Sequence, residues 1–277
     1  MSAWPLPESF PSRSGTVRWN RLGAPDGRPV VLLHGTPFSS YVWRAVARSL
    51  ARDHQVFVWD MPGYGRSEKA AGQDVSLAAQ GRVFAELLEH WGLERPLVAA
   101  HDFGGAVALR AHLLHGVPCR ALALVDPVAL APWGSPFFRL VRDHAEVFAQ
   151  LPGALHGALV REYVGSTGGP GLHPAVVDRL VEPWLGESGQ PAFYRQIAQA
   201  DQRYTDEVQD RYTGIDVPTL VCWGEDDAWI PVAKGRELAG LVPGARWEPI
   251  ARAGHLVQED APAELTTALL DFFRRLP

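Results

Sequence analysis

The chain has 277 residues, 47% of them hydrophobic and 21% charged, the balance of an ordinary globular protein rather than a disordered or fibrous one. Its 26 lysines and arginines are scattered among 31 acidic residues, for a net charge of −5; nucleic acid and anionic membranes need clustered basic residues, so neither is expected as a partner. No apolar run approaches the ~18 residues of a membrane span, and the start, MSAWPLPESFPSRSG, lacks the basic-then-apolar pattern of an export signal, so a cytoplasmic protein is expected.

Along the chain, apolar runs without alternation take turns with segments of helical spacing. PVVLLHG from Pro29 reads as a strand, YVWRAVARSLAR from Tyr41 as a helix, and QVFVWD from Gln55 as the next strand. The pattern repeats with the helix VSLAAQGRVFAELLEHWG from Val75, the strand PLVAAHD from Pro96, the helix GAVALRAHLLHG from Gly105 and the strand ALALVDP from Ala121. Runs apolar on both faces suit a parallel sheet buried between helices, so the fold class is a doubly wound α/β architecture. The alternation then breaks. Residues 127–212 hold helical segments and the punctuation GSTGGPGLHP from Gly165, without a convincing strand. This insertion is expected to form a helical cap over the carboxyl ends of the strands, where such sheets bind ligands. Alternation resumes with PTLVCWG from Pro218, VAKGRELAGLV from Val232, RWEPI from Arg246 and APAELTTALLDFFRRL from Ala261. The core is therefore 1–126 with 213–277. The two cysteines, Cys119 and Cys222, are expected to be reduced thiols rather than a disulfide framework.

Four motifs fall at strand ends. HGTP, His34 to Pro37, has a glycine that admits close backbone approach, and the Thr36 amide is a candidate oxyanion donor. AHDFG places Asp102 between small flanks, as a sharp strand-to-helix turn requires. An aspartate there also suits a helix cap. GEDDAWIP supplies Asp227, and AGHLVQEDAP supplies His255. The chain order of nucleophile, acid and histidine is the one that accompanies strand–turn–helix elbows. Asp126, at the end of ALALVDP, is a second candidate acid.

In these motifs, HGTPFSSYVWR, DMPGYGRS, HDFGGAVALR, GEDDAWIP and AGHLVQEDAP, the chain resembles the α/β-hydrolase family over nearly its whole length. The resemblance implies a mostly parallel eight-stranded sheet with a helical lid, no cofactor and no metal, and a site between core and cap. A carboxylate nucleophile suits attack on an sp3 carbon, giving an ester that His255 and a water then hydrolyse, with Thr36 and Phe103 amides as oxyanion hole. Epoxide hydrolases and haloalkane or haloacid dehalogenases resemble this arrangement. The side-chain halide donors of dehalogenases are missing at Phe103 and Thr36, although the cap indoles of Trp133 and Trp184 offer N–H groups. Epoxide opening needs a hydroxyl, and AFYRQIAQ resembles the epoxide hydrolase segment that carries one, making Tyr194 the first choice, with His144 and Tyr163 as further candidates. His34, Trp133 and Trp184 are assigned to the pocket of a small apolar organic substrate. The expectation is an epoxide-hydrolysing enzyme, with dehalogenase as the alternative and a noncatalytic small-molecule-binding relative as the reading from another class.

Overall fold

The computed structural model describes residues 4–276. Its single sheet has eight strands in the order β1-β2-β4-β3-β5-β6-β7-β8: β1 (Glu8–Ser12), β2 (Gly15–Leu22), β3 (Arg28–Leu33), β4 (His54–Asp60), β5 (Leu97–His101), β6 (Ala121–Val125), β7 (Thr219–Gly224) and β8 (Arg246–Ile250). The six apolar runs in the sequence become β3 to β8, all parallel. Every residue of β4, β5, β6 and β7 is buried, the reason these strands read as continuous apolar runs. The antiparallel pair β1 and β2 was not visible as apolar runs. Its residues are largely exposed or half-buried, so no such run marks them.

Helices α1 (Arg44–Leu50), α2 (Leu77–Trp91) and α3 (Phe103–His115) follow β3, β4 and β5. Ser76 caps α2 by accepting from the Ala79 amide at 3.2 Å, and Gly92, with φ +66°, ends the helix in the left-handed conformation. Between β6 and β7 lie α4 (Pro136–Asp143), α5 (Ala145–Phe148), α6 (Gly153–Gly165), α7 (Pro174–Val181), α8 (Gly186–Ala198) and α9 (Arg203–Gln209), with no strand among the described residues of this stretch. The chain closes with α10 (Val232–Leu241), α11 (Val257–Asp260) and α12 (Pro262–Arg274). None of the described helices is long and apolar enough to cross a membrane. Cys119 and Cys222 are free and buried.

The strand order dictates where a ligand can sit. From β3 the chain steps to β4 on one side, then crosses to β5 on the other. This reversal opens a crevice beyond the carboxyl ends of β3 and β5. The residues that follow those two ends are His34-Gly35-Thr36 and Asp102. Close approach of the two turns depends on glycine. A β-carbon at Gly104 would lie 2.6 Å from the His34 carbonyl oxygen, and one at Gly35 would lie 2.3 Å from Asp102 Oδ2.

The contact at Gly104 is with main chain, which has little room to yield, so Gly104→Ala is expected to cost about 1–3 kcal/mol of stability, as overpacking does. Urea unfolding should show a lower midpoint with unchanged slope; an unchanged midpoint would contradict the close packing of elbow and β3.

Candidate active site

Asp102 occupies the turn between β5 and α3 with φ 50° and ψ −120°. That is a costly backbone for a residue with a β-carbon, held by its surroundings. The Asp102 amide donates to Val125 O at 3.2 Å, and its carbonyl accepts from Gly105 at 2.9 Å and Val128 at 3.1 Å. The side chain does not cap α3. Instead Oδ2 accepts the Thr36 amide at 2.6 Å, so the helix-cap alternative gives way to a carboxylate aimed across the switch point.

His255 reaches the same carboxylate from the loop after β8. Its Nε2 lies 3.6 Å from Asp102 Oδ1, beyond direct hydrogen-bonding distance, while Nδ1 donates to Asp227 Oδ2 at 2.8 Å. Asp227 is fixed by its other oxygen, which accepts from the Trp229 and Ile230 amides at 2.7 and 2.9 Å. The imidazole is thereby oriented with one ring nitrogen facing the elbow. Burial opposes charge on the ring, but the Asp227 charge with its hydrogen bond, together with the nearby Asp102 carboxylate, outweighs it and holds its pKa well above the ordinary value of 6.5. His101, beside the elbow, donates from Nε2 to the His255 carbonyl at 2.8 Å, and burial with the neighbouring His255 lowers its own pKa to about 3. It supports the histidine loop as a neutral ring.

Asp126 follows β6, one strand over from Asp102. It is not the partner of His255 Nδ1, a place Asp227 holds, yet the donor atoms of Asp126, Asp227 and His255 all lie within 4.8 Å of one another. This His/Asp cluster has ligand-like proximity, but Nδ1 and Asp227 Oδ2 are engaged with each other. Its chemistry is that of a hydrogen-bonded acid–base pair.

A cavity of about 40 Å³ opens onto Asp102 and Thr36, lined chiefly by Phe103, Trp133, Phe138, Tyr163 and Trp229. Low polarity there strengthens every interaction with the carboxylate. Tyr163 and Trp229 stack with centroids 4.6 Å apart, and they also line an outer cavity of about 410 Å³, so the pair stands between the two spaces. Burial, followed by the charge of Asp102, raises the Tyr163 pKa and keeps its hydroxyl protonated.

The other cap candidates lie elsewhere. Tyr194 is a correction to the sequence expectation: its hydroxyl pairs with His156 Nδ1 at 2.8 Å, away from the cavity lining, and burial pushes its pKa up to about 12. His144 is exposed between α4 and α5. Trp184 donates to Pro37 O at 2.6 Å, tying the helical insertion to the turn after β3 instead of lining the pocket. His34 is likewise not in the lining; its Nδ1 pairs with Gly35 O and its Nε2 accepts from the Met61 amide, both at 2.9 Å, which fixes the turn. Trp133 does line the cavity, but its indole N–H donates to Thr205 Oγ1 at 2.9 Å and is not free for a halide.

Sequence reading missed several contributors. Trp229 sat unremarked inside the quoted GEDDAWIP, and Tyr64 inside DMPGYGRS. Tyr64 OH and Thr36 Oγ1 both donate to Gln196 Oε1 of α8, at 3.0 and 2.7 Å. The Gly-rich segment after α6 also gained a purpose: Thr167 O accepts the His255 amide at 2.9 Å, and Gly168 bridges Asp227. A β-carbon at Gly168 would meet Asp226 O at 2.2 Å, so glycine there lets the cap clasp the acid loop.

A family model described as alpha/beta hydrolase fold matches residues 28–262. The chain is 47% identical to an alpha/beta hydrolase fold protein from Burkholderia ambifaria, covering 97% of this chain and 98% of that one with a TM-score of 0.93. It is 27% identical to the dihydrolipoyllysine-residue acetyltransferase component of the acetoin cleaving system of Pseudomonas putida, over 98% of this chain and 70% of that protein. It is 24% identical to haloalkane dehalogenase 2 of Mycobacterium tuberculosis, over 95% of this chain and 93% of that protein.

The raised pKa of His255 has a defined sign. Stabilisation of the fold by the charged ring is complete below the ordinary value of 6.5 and is lost as pH rises through the raised value. NMR titration of the ring should place its midpoint above 6.5 and show it falling in Asp227→Asn; an ordinary midpoint in the wild type would contradict the paired-carboxylate environment.

Proposed function

The chain belongs to the alpha/beta hydrolase fold family, and on that premise we propose that it hydrolyses small apolar epoxides to diols through an ester formed on Asp102. The observation that carries the reading is a carboxylate at the elbow, gripped by the Thr36 amide at 2.6 Å and faced by a histidine that Asp227 orients. A carboxylate gains little by attacking a carbonyl, but it can displace oxygen from an sp3 carbon. In that step Asp102 Oδ bonds to the ring carbon, the carbon–oxygen bond breaks, and the alkoxide takes a proton from Tyr163.

The second step consumes the ester. His255 Nε2 removes a proton from water, which attacks the Asp102 carbonyl carbon, and the diol leaves. The Thr36 and Phe103 amides would hold the oxyanion, donors typically worth about 3–4 kcal/mol each in such sites. Esterification also erases the Asp102 charge, one of the causes that raise the His255 pKa. The ring is therefore more readily neutral in the ester state than in the free enzyme, with Nε2 free to accept a proton from water. Ring opening takes up one proton and hydrolysis returns one, so the cycle closes.

Tyr163 replaces Tyr194 as the acid in this reading because it lines the cavity with Asp102. The apolar lining favours an apolar substrate. A second reading, haloalkane dehalogenation, is favoured by the mycobacterial relative. Against it stand the indoles: those of Trp133, Trp184 and Trp229 donate to Thr205, Pro37 O and Ser166 respectively, leaving none committed to a halide.

A panel of terminal epoxides and bromoalkanes separates the two. Diol formation without bromide release is expected, and Tyr163→Phe should lower kcat on epoxides by ~10²–10⁴-fold, the usual contribution of a positioned acid. Bromide release that survives Tyr163→Phe would reverse the ranking, and no turnover of either class would overturn the enzymatic reading.

A further inference from the structure

Asp126 is a buried carboxyl that neither step above uses. Register places it between the elbow and the acid strand: Val125 pairs with His101 on one side and Cys222 on the other. Its backbone is left-handed, φ 42°, and its amide donates to Cys222 O at 3.0 Å. Holding a β-branched-free but non-glycine residue in that region costs free energy, which the fold spends to turn this side chain toward the acid–histidine pair. Oδ1 accepts the Gly224 amide at 2.9 Å. Oδ2 is fully buried and receives no N–H.

The groups facing Asp126 are Asp227 and His255, within the 4.8 Å cluster, and the Cys222 thiol on β7, whose pKa burial pushes up. Asp227 is the better-solvated anion of the two. It accepts from two backbone amides and from His255 Nδ1, whereas Asp126 has one backbone donor. Two carboxylates side by side in a dry interior cannot both ionise cheaply. The proton therefore belongs on Asp126, and on Oδ2, where it converts a stranded acceptor into a donor.

We propose that Asp126 is a neutral carboxylic acid whose Oδ2–H donates to the Asp227 carboxylate, making it a positioning residue for the Asp227–His255 pair. Burial and the Asp227 charge, which raise its pKa far above the usual carboxylate range, act in the same direction. The shared proton draws negative charge away from Asp227. It thereby tempers the pull of Asp227 on His255 Nδ1–H and keeps the ring able to release its proton. The inference rests on the hydrolase reading only for that consequence; the proton itself requires no turnover.

Infrared spectroscopy of the full chain at neutral pH, without substrate, tests it. The wild type should show the carbonyl stretch of a protonated, hydrogen-bonded carboxylic acid, absent from Asp126→Asn. If no such band is present, or if it persists in Asp126→Asn, the proposal is overturned, whatever the enzyme assays show. Labelling wild-type aspartates with carbon-13 and following their titration gives the same answer without any variant: one side chain still protonated at neutral pH supports the proposal, and full ionisation refutes it. The His255 ring titration separates positioning from packing. Asp126→Asn, which keeps a neutral N–H donor to Asp227, should leave the His255 pKa in place, and Asp126→Ala should raise it. A fall in Asp126→Asn would mean that a negative charge had been removed and would overturn the proposal.

Discussion

The carboxylate of Asp102 lies against a small, mostly apolar cavity, and the turns around it fix where it points. One hydrogen bond from the Thr36 amide at 2.6 Å fixes its position. That bond exists because β3 and β5 are neighbours at the point where the strand order reverses. It also exists because Gly35 has no β-carbon to strike the carboxylate. Topology, a left-handed elbow and one small residue thus converge on a single contact. A side chain on either turn would separate the anion from its donor and leave it buried without compensation.

The cap completes the electrostatic setting. Tyr163, Trp133 and Phe138 line one side of the cavity and lower its polarity, which strengthens the attraction between Asp102 and the histidine. The same insertion grips the core around Asp102 and His255. Trp184 binds the turn after β3, Gln196 accepts from Thr36 and Tyr64, and Thr167 accepts the His255 amide. Cap packing and the alignment of Asp102, Asp227 and His255 are therefore one problem. Displacing α8 or the Gly-rich segment would disturb side chains presented by the turns that follow the strands.

How much of this could be read from the letters depends on what decides each feature. β3 to β7 were legible because burial on both faces demands continuous apolar runs, and the half-exposed edge strand β8 from its place in the alternation of strand and helix. β1 and β2 were not, since a half-exposed antiparallel pair imposes a weaker pattern. Asp102, Asp227 and His255 were legible as candidates because strand ends in a parallel sheet bring distant segments together, whatever the intervening chain does. Tyr194 and Tyr163 were beyond that logic. Both stand on cap helices, and which ring lines the cavity is set by tertiary partners: the Tyr194 hydroxyl pairs with His156, while Trp229 stacks on Tyr163 at the cavity. Spacing within a helix carries no record of those partners. Asp126 was visible as a second acid, but its standing beside Asp227 instead of in its place required the register of β6 and β7.

The central claim is that Asp102 itself enters a covalent bond with carbon, and the fate of oxygen tests it most directly. A single turnover in water enriched in oxygen-18, with enzyme in excess over an accepted epoxide, separates the routes. Attack by Asp102 delivers one unlabelled carboxylate oxygen to the diol, and mass spectrometry of the peptide carrying Asp102 finds the label there. A diol that carries the label after one turnover, with Asp102 unlabelled, would mean that water attacks the substrate directly and would contradict the account.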